Sequence, residues 1–195
     1  MNTKLFQIGF LVLLLSNAVQ SESLKESFSD HFLMGTIWHG NKLGSNKTNR
    51  FLEQEKSLIS SEFNAITAEN AMKPRQTQPH EGVFTFEEAD EMVEFAEAKN
   101  LTIVGHTLVW KNSAPDWFFV DNQGGPVSRE ILIDRMKTHI KTVMGRYKGR
   151  IKYWDVVNEA IETKRIKGEK SFEAFYKPSP WLDIIGPEYI EIAYR

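Results

Sequence analysis

Cysteine is absent from all 195 positions. In an exported chain this removes disulfides, thiol nucleophiles and thiolate metal sites together, and leaves stability to a packed core. Neither charge dominates: 24 Lys and Arg stand against 26 Asp and Glu, for a formal net charge of −2. Without a basic stripe or an acidic tail, nucleic acid and anionic membrane are poor partners, and an uncharged substrate suits the surface better. The histidines His31, His39, His80, His106 and His139 form no His-Glu-x-x-His arrangement and no close pair, which disfavours a metallohydrolase. No Gly-x-Ser-x-Gly elbow or glycine-rich phosphate loop occurs either, so serine hydrolases and nucleotide enzymes lack their usual marks.

Long apolar runs are missing everywhere except Leu5–Leu15. Eleven residues fall well short of the roughly twenty that span a hydrocarbon core. Preceded by Lys4 and followed by Ser16-Asn17-Ala18, the run reads instead as a secretory signal peptide over residues 1–18, which predicts a secreted or periplasmic protein with no membrane attachment after cleavage. The composition, 41% hydrophobic and 12% aromatic, is that of a globular chain, and one domain over residues 24–195 is the expectation at this length.

Past the signal, short apolar runs alternate with longer amphipathic ones, the pattern of successive βα units building a parallel sheet. Four units are legible. Phe32–Trp38, Ala65–Ala68, Leu101–Val109 and Ile151–Val157 are the predicted strands. Arg50–Phe63, with apolar Leu58, Ile59 and Phe63, is the first helix. In the second, Thr85 and Glu88 form a capping-box pair, Phe86, Ala89, Val93 and Ala96 share one face, and the acidic residues are expected in water. Ser128 caps a third helix carrying Leu132, Met136, Ile140 and Val143, which Gly145 and Gly149 terminate. A long loop with Gly168, Pro178, Pro180 and Trp181 then leads to a helix opened by Pro187. Polar residues at strand ends suggest a (β/α)8 barrel of which about the first four units are present, since such barrels collect functional groups at the carboxyl end of the sheet. A small open α/β sheet is the alternative.

The strand ends carry the chemistry. Glycoside cleavage needs a proton donor for the leaving oxygen and a carboxylate on the opposite face of the sugar. Glu159 follows the apolar strand Trp154-Asp155-Val156-Val157, where burial would favour the protonated form of its carboxyl. Asn158 precedes it. The third strand ends Gly105-His106-Thr107-Leu108-Val109-Trp110, supplying an imidazole donor and an indole plate for a sugar, whose hydroxyls need hydrogen bonds and whose ring faces pack on aromatics. The second strand leads into Glu69-Asn70-Ala71-Met72-Lys73, a further polar cluster. Strict alternation along the fourth strand sends Asn158 and Glu159 to opposite faces, a conflict that sequence leaves open.

These three segments, with Thr67-Ala68 leading the first, strongly resemble the family-ten glycoside hydrolases, the endo-β-1,4-xylanases, in order and approximate spacing from about Phe32 to Arg195. The resemblance implies a retaining β/α-barrel enzyme that cuts internal β-1,4 bonds of xylan, with Glu159 as general acid/base. It implies that Asn158, His106 and Trp110 line the subsite of the sugar attacked, and that Glu69, Asn70 and Lys73 hold the next sugar toward the non-reducing end. No metal or cofactor is implied; xylan or a xylo-oligosaccharide is the partner, and a complete barrel is expected to be monomeric.

The family's nucleophilic glutamate belongs to a seventh strand that the sequence does not contain. The expectation is therefore a catalytic domain lacking its C-terminal half, doubtful in activity by itself. The alternative is a secreted, non-catalytic protein that binds xylan or its oligosaccharides. Glu162 and Asp155 are no obvious substitutes for that nucleophile. Two local departures from the family pattern are Lys111, where histidine is usual, and Pro74, where tryptophan often stands. As a permanent cation, Lys111 is expected to disturb nearby carboxyl titration.

Overall fold

The computed structural model describes residues 21–40 and 49–195; the proposed signal segment lies outside the described residues. In chain order the elements are α1 (Leu24–Ser27), β1 (Gly35–Trp38), α2 (Asn49–Glu62), β2 (Ala65–Ala68), α3 (Pro74–Thr77), α4 (Glu87–Ala98), β3 (Thr102–Val109), α5 (Arg129–Arg146), β4 (Tyr153–Val157), β5 (Ile161–Arg165), β6 (Phe172–Tyr176), α6 (Pro180–Ile185) and α7 (Tyr189–Tyr194). Strands β1 to β4 form one parallel sheet in sequence order. Parallel neighbours joined by helical crossovers in the order 1-2-3-4 are the first half of an eight-stranded β/α barrel.

The core lies between the sheet and its helices. Ile66 of β2 and Leu108 of β3 are buried against Ala89, Met92, Val93 and Ala96 of α4 and Leu132, Met136 and Val143 of α5. The spacing of the α4 residues, i, i+3, i+4 and i+7, is one helical face. Ser128 caps α5 as its sequence predicts, accepting from the Ile131 amide at 3.4 Å.

Several expectations change. The Thr85–Glu88 capping box does not form: the Thr85 hydroxyl donates to the Gln76 carbonyl, and Phe86 stands at the N-cap without a side-chain cap. The Thr85 amide also bonds Thr77 at 3.0 Å, so this threonine closes the preceding loop. The acidic residues of α4 are not simply solvated. Asp90 takes a two-pronged grip from Arg146 and a 2.9 Å bond from the Tyr147 hydroxyl, while Glu97 pairs with Arg150 at 2.8 and 2.7 Å. The first strand is shorter than its apolar run, because Phe32 bonds back to Phe28 and stacks on its ring at 5.1 Å. Leu58 of α2, counted with the apolar face, is exposed, whereas Ile59 beside it is buried.

The predicted long loop is a hairpin, β5 antiparallel to β6 with Ile161 opposite Tyr176 and Arg165 opposite Phe172, followed by α6. Every residue of the two hairpin strands is exposed, so neither carries the half-buried alternation that marks a strand in sequence. Helix α6 had a legible start: Ser179 accepts from the Leu182 amide at 3.2 Å and Pro180 holds the first helical position.

At the edges of the sheet, β1 and β4 each have one neighbour among the described residues. Ile37 and Tyr153 on these edge strands are 45% and 57% exposed. No helix of the described residues is long and apolar enough to cross a membrane.

Candidate active site

The carboxyl ends of β2, β3 and β4 lie side by side, so the polar residues that follow them share one rim. The spacing between β3 and β4 depends on Gly105. It stands opposite Trp154 in the register, and a Cβ built on it would lie 2.3 Å from the indole ring. Only a glycine lets that ring lie flat on the neighbouring strand. The next pair in register is His106 and Asp155, whose Nδ1 and Oδ2 are 2.9 Å apart. This contact defines the imidazole: Asp155 fixes Nδ1 as the donor, leaving Nε2 free to accept or, when protonated, to donate. Asp155 thus has a role its sequence position did not disclose. Trp110, just past β3, has its ring 6.2 Å from that of His106.

Glu159 resolves the alternation conflict. Strand β4 ends at Val157, the Asn158 amide donates to the Val109 carbonyl at 2.9 Å, and Glu159 adopts φ +52°. This left-handed conformation, uncommon for a residue with a side chain, turns the backbone so that strand alternation no longer applies. Asn158 and Glu159 then line one depression together with Trp110, Lys111, Lys177 and Trp181. Within it the Glu159 Oε2 atom accepts from the Trp110 indole at 3.3 Å and from the Lys177 ammonium at 3.3 Å.

Those two donors reverse the expected ionisation. Glu159 is 44% exposed, and the Lys177 bond first, then the Trp110 bond, hold its carboxyl below the ordinary glutamate range against the opposing effect of burial. The apolar strand before it does not enclose the carboxyl, so it is not kept protonated. Lys111 adds to the lowering through its charge while its ammonium bonds the Pro178 carbonyl at 2.9 Å. Lys177 went unnoticed in sequence because the hairpin that returns it to Glu159 was read as loop.

The residues after β2 form the other end of the rim. Asn70 accepts from the Lys73 ammonium at 2.9 Å, and that ammonium sits 5.0 Å from the centre of the Trp110 ring, linking this cluster to the β3 end by a cation–π contact. Glu69 lies 3.6 Å from His39 Nε2, whose other nitrogen is 2.9 Å from Glu55. Pro74 opens α3 with Lys73 as its N-cap. All seven predicted site residues therefore border the same rim, Glu69 at its far end. Glu162 instead lies on the hairpin opposite Phe175. Among the described residues, no three His, Asp or Glu side chains converge to hold a metal ion.

This geometry has counterparts among known proteins. The family model for glycosyl hydrolase family 10 matches residues 23–195. Endo-1,4-beta-xylanase B of Paenibacillus barcinonensis is 41% identical over 173 residues, covering 89% of this chain and 47% of that protein. Endo-1,4-beta-xylanase A of Xylanibacter ruminicola is 38% identical over 190 residues, covering 97% and 48%. The crystal structure of xylanase XynB from Paenibacillus barcinonensis, complexed with a conduramine derivative, superposes with a TM-score of 0.76 at 40% identity, over 91% of this chain and 49% of that one. The chain spans about half the length of these two xylanases and a fifth or less of several other curated relatives.

Proposed function

The chain belongs to glycosyl hydrolase family 10, and from that membership we propose that it serves a retaining endo-1,4-β-xylanase as the half of the barrel that binds the sugar and donates the proton. The observation that carries this reading is the convergence of Glu159, Trp110 and the His106–Asp155 pair at the ends of adjacent parallel strands. Glu159 is the general acid/base for the glycosidic oxygen. His106, oriented by Asp155, bonds a hydroxyl of the sugar under attack; Trp110 and Asn158 line the same subsite; Glu69, Asn70 and Lys73 receive the next sugar toward the non-reducing end.

Retaining hydrolysis needs a second carboxylate about 5 Å from the first, and the family resemblance puts it on the seventh strand, in the half of a family member that this chain does not span. Because the Lys177 bond lowers the Glu159 pKa, proton donation is favoured when substrate loosens that contact as the leaving oxygen enters. Export through residues 1–18 and a monomeric state of the complete barrel belong to the same proposal; size-exclusion chromatography tests the latter.

In an enzyme carrying the whole barrel, Glu159→Gln is expected to slow xylan hydrolysis by roughly 10²–10⁴, the usual worth of general acid help, and to leave xylo-oligosaccharide affinity nearly unchanged. Turnover equal to that of the unmodified enzyme removes Glu159 from the role. A purified chain that is monomeric and binds xylo-oligosaccharides but releases no reducing ends fits the non-catalytic binding alternative.

A further inference from the structure

A histidine and a carboxylate meet across adjacent strands twice on this rim. At β3 and β4 the carboxylate of Asp155 fixes the imidazole of His106. At β1 and β2 the roles are exchanged. The last registered pair of those strands is Trp38 and Ala68, and the Glu69 amide bonds the Trp38 carbonyl at 2.9 Å, so His39 and Glu69 leave the sheet side by side. His39 Nε2 lies 3.6 Å from Glu69 Oε2, while Nδ1 lies 2.9 Å from Glu55 Oε1 of α2. A ring nitrogen this close to a carboxylate is its donor, so Glu55 fixes the Nδ1 proton and the orientation of the ring, and Nε2 is the atom presented to Glu69. Glu55 is 15% exposed, which shelters the brace from screening by solvent. The two oxygens of Glu69 are not equivalent: Oε2 is buried without a hydrogen-bond partner, whereas the side chain as a whole is 37% exposed. A buried carboxylate oxygen lacking a donor is costly, and His39 Nε2 is placed to supply one by a small closing movement.

We infer that His39, braced by Glu55, is a positioning residue for Glu69: it occupies Oε2 and leaves the other carboxylate oxygen to the sugar. This rests on the reading above, in which Glu69 receives the sugar next to the one under attack. The last torsion of a glutamate is broad and roughly two-fold, so an unheld carboxylate exchanges its oxygens freely. One held through Oε2 loses that freedom before the ligand arrives, and less of the ordering cost falls on binding. A purely architectural role for His39, pinning α2 to the tip of β1, has a different consequence. Loss of the ring would then loosen the strand end and weaken binding whether or not a carboxylate stood at position 69.

The test is a double-mutant cycle on the full chain, read by calorimetric titration with xylotriose. In the parent background His39→Leu is expected to weaken binding about three- to tenfold. In the Glu69→Ala background the same substitution is expected to change affinity by less than about twofold. His39→Gln, whose amide nitrogen can stand where Nε2 stood, is expected to recover part of the loss. Glu55→Ala repeats the cycle at the brace, with a smaller loss that also vanishes in the Glu69→Ala background, and it takes the place of His39→Leu if that variant does not fold. Equal losses in the two backgrounds, or no loss in the parent background, overturn the inference. Failure of the parent chain to bind xylotriose, or full affinity in Glu69→Ala, overturns the sugar-binding role of Glu69 instead.

Discussion

On the flank where α4 meets α5, Asp90 is held by Arg146 and Tyr147, Glu97 by Arg150, and the surfaces beneath them are closed by Met92, Val93, Leu132 and Met136. Across the molecule, beyond β4, the hairpin has no buried residue in either strand, and its attachment to the site includes a lysine bonded to a half-exposed carboxylate. The packed flank uses its charges to fasten two helices over a core. On the rim and hairpin, charges and rings remain open to solvent. Changes on the first flank should alter folding without altering the chemistry of the rim, and changes on the second should do the reverse.

The sharpest contrast comes from Met136, which is fully buried in α5. Met136→Ala is expected to cost about 2–5 kcal/mol of unfolding free energy, measured by urea denaturation, while xylo-oligosaccharide affinity stays within twofold under conditions where the variant is folded. An affinity loss in the folded variant would break the separation of the two regions.

A smaller effect is expected from His139, buried beneath Phe84 with its Nδ1 2.9 Å from the Gln78 side-chain oxygen and its Nε2 unpaired. Burial pushes its pKa down to about 4. The unfolded chain takes up this proton near pH 6.5 and the folded chain resists it until about pH 4, so the stability tied to the neutral ring is complete above pH 6.5 and lost as pH falls between those limits. The total is on the order of 3 kcal/mol. Denaturation curves from pH 7.5 to 4 should show that loss, and His139→Leu should flatten the slope in this window. An unchanged slope in the variant would assign the acid sensitivity elsewhere.

The smallest predicted effect concerns the rim. Because the Lys177 bond is the main cause of the lowered Glu159 pKa, Lys177→Met should move the midpoint of the Glu159 carboxyl upward, seen by carbon-detected NMR titration. In a complete enzyme, activity that needs the protonated acid should then persist to higher pH. A midpoint that stays in place would show that Trp110 and Lys111 suffice to hold the carboxylate.

What could be read from sequence follows the same division. Strands β2 to β4 and the inward faces of α4 and α5 were legible because burial writes a period into the chain: Ala89, Val93 and Ala96, or Leu132, Met136 and Val143, recur where the core requires them. The hairpin obeys no such constraint, and its strands passed for loop. At the site, residue identities on strand ends were informative, but their partners were not: Asp155 reaches His106 through strand register, and Lys177 reaches Glu159 through the hairpin return. Alternation failed at Glu159 for a local reason, the left-handed backbone that ends the strand. The environment of that carboxyl was misjudged because an apolar strand leading to a residue does not enclose its side chain.

Gly105 carries a consequence for the whole rim. The indole of Trp154 occupies the volume where any other residue would place its first side-chain carbon. A methyl group there would wedge β4 away from β3, and the tether between His106 and Asp155, one step further along the same pair of strands, would open with it. The alignment of an imidazole on the rim thus depends on a hydrogen atom one residue away on the same strand.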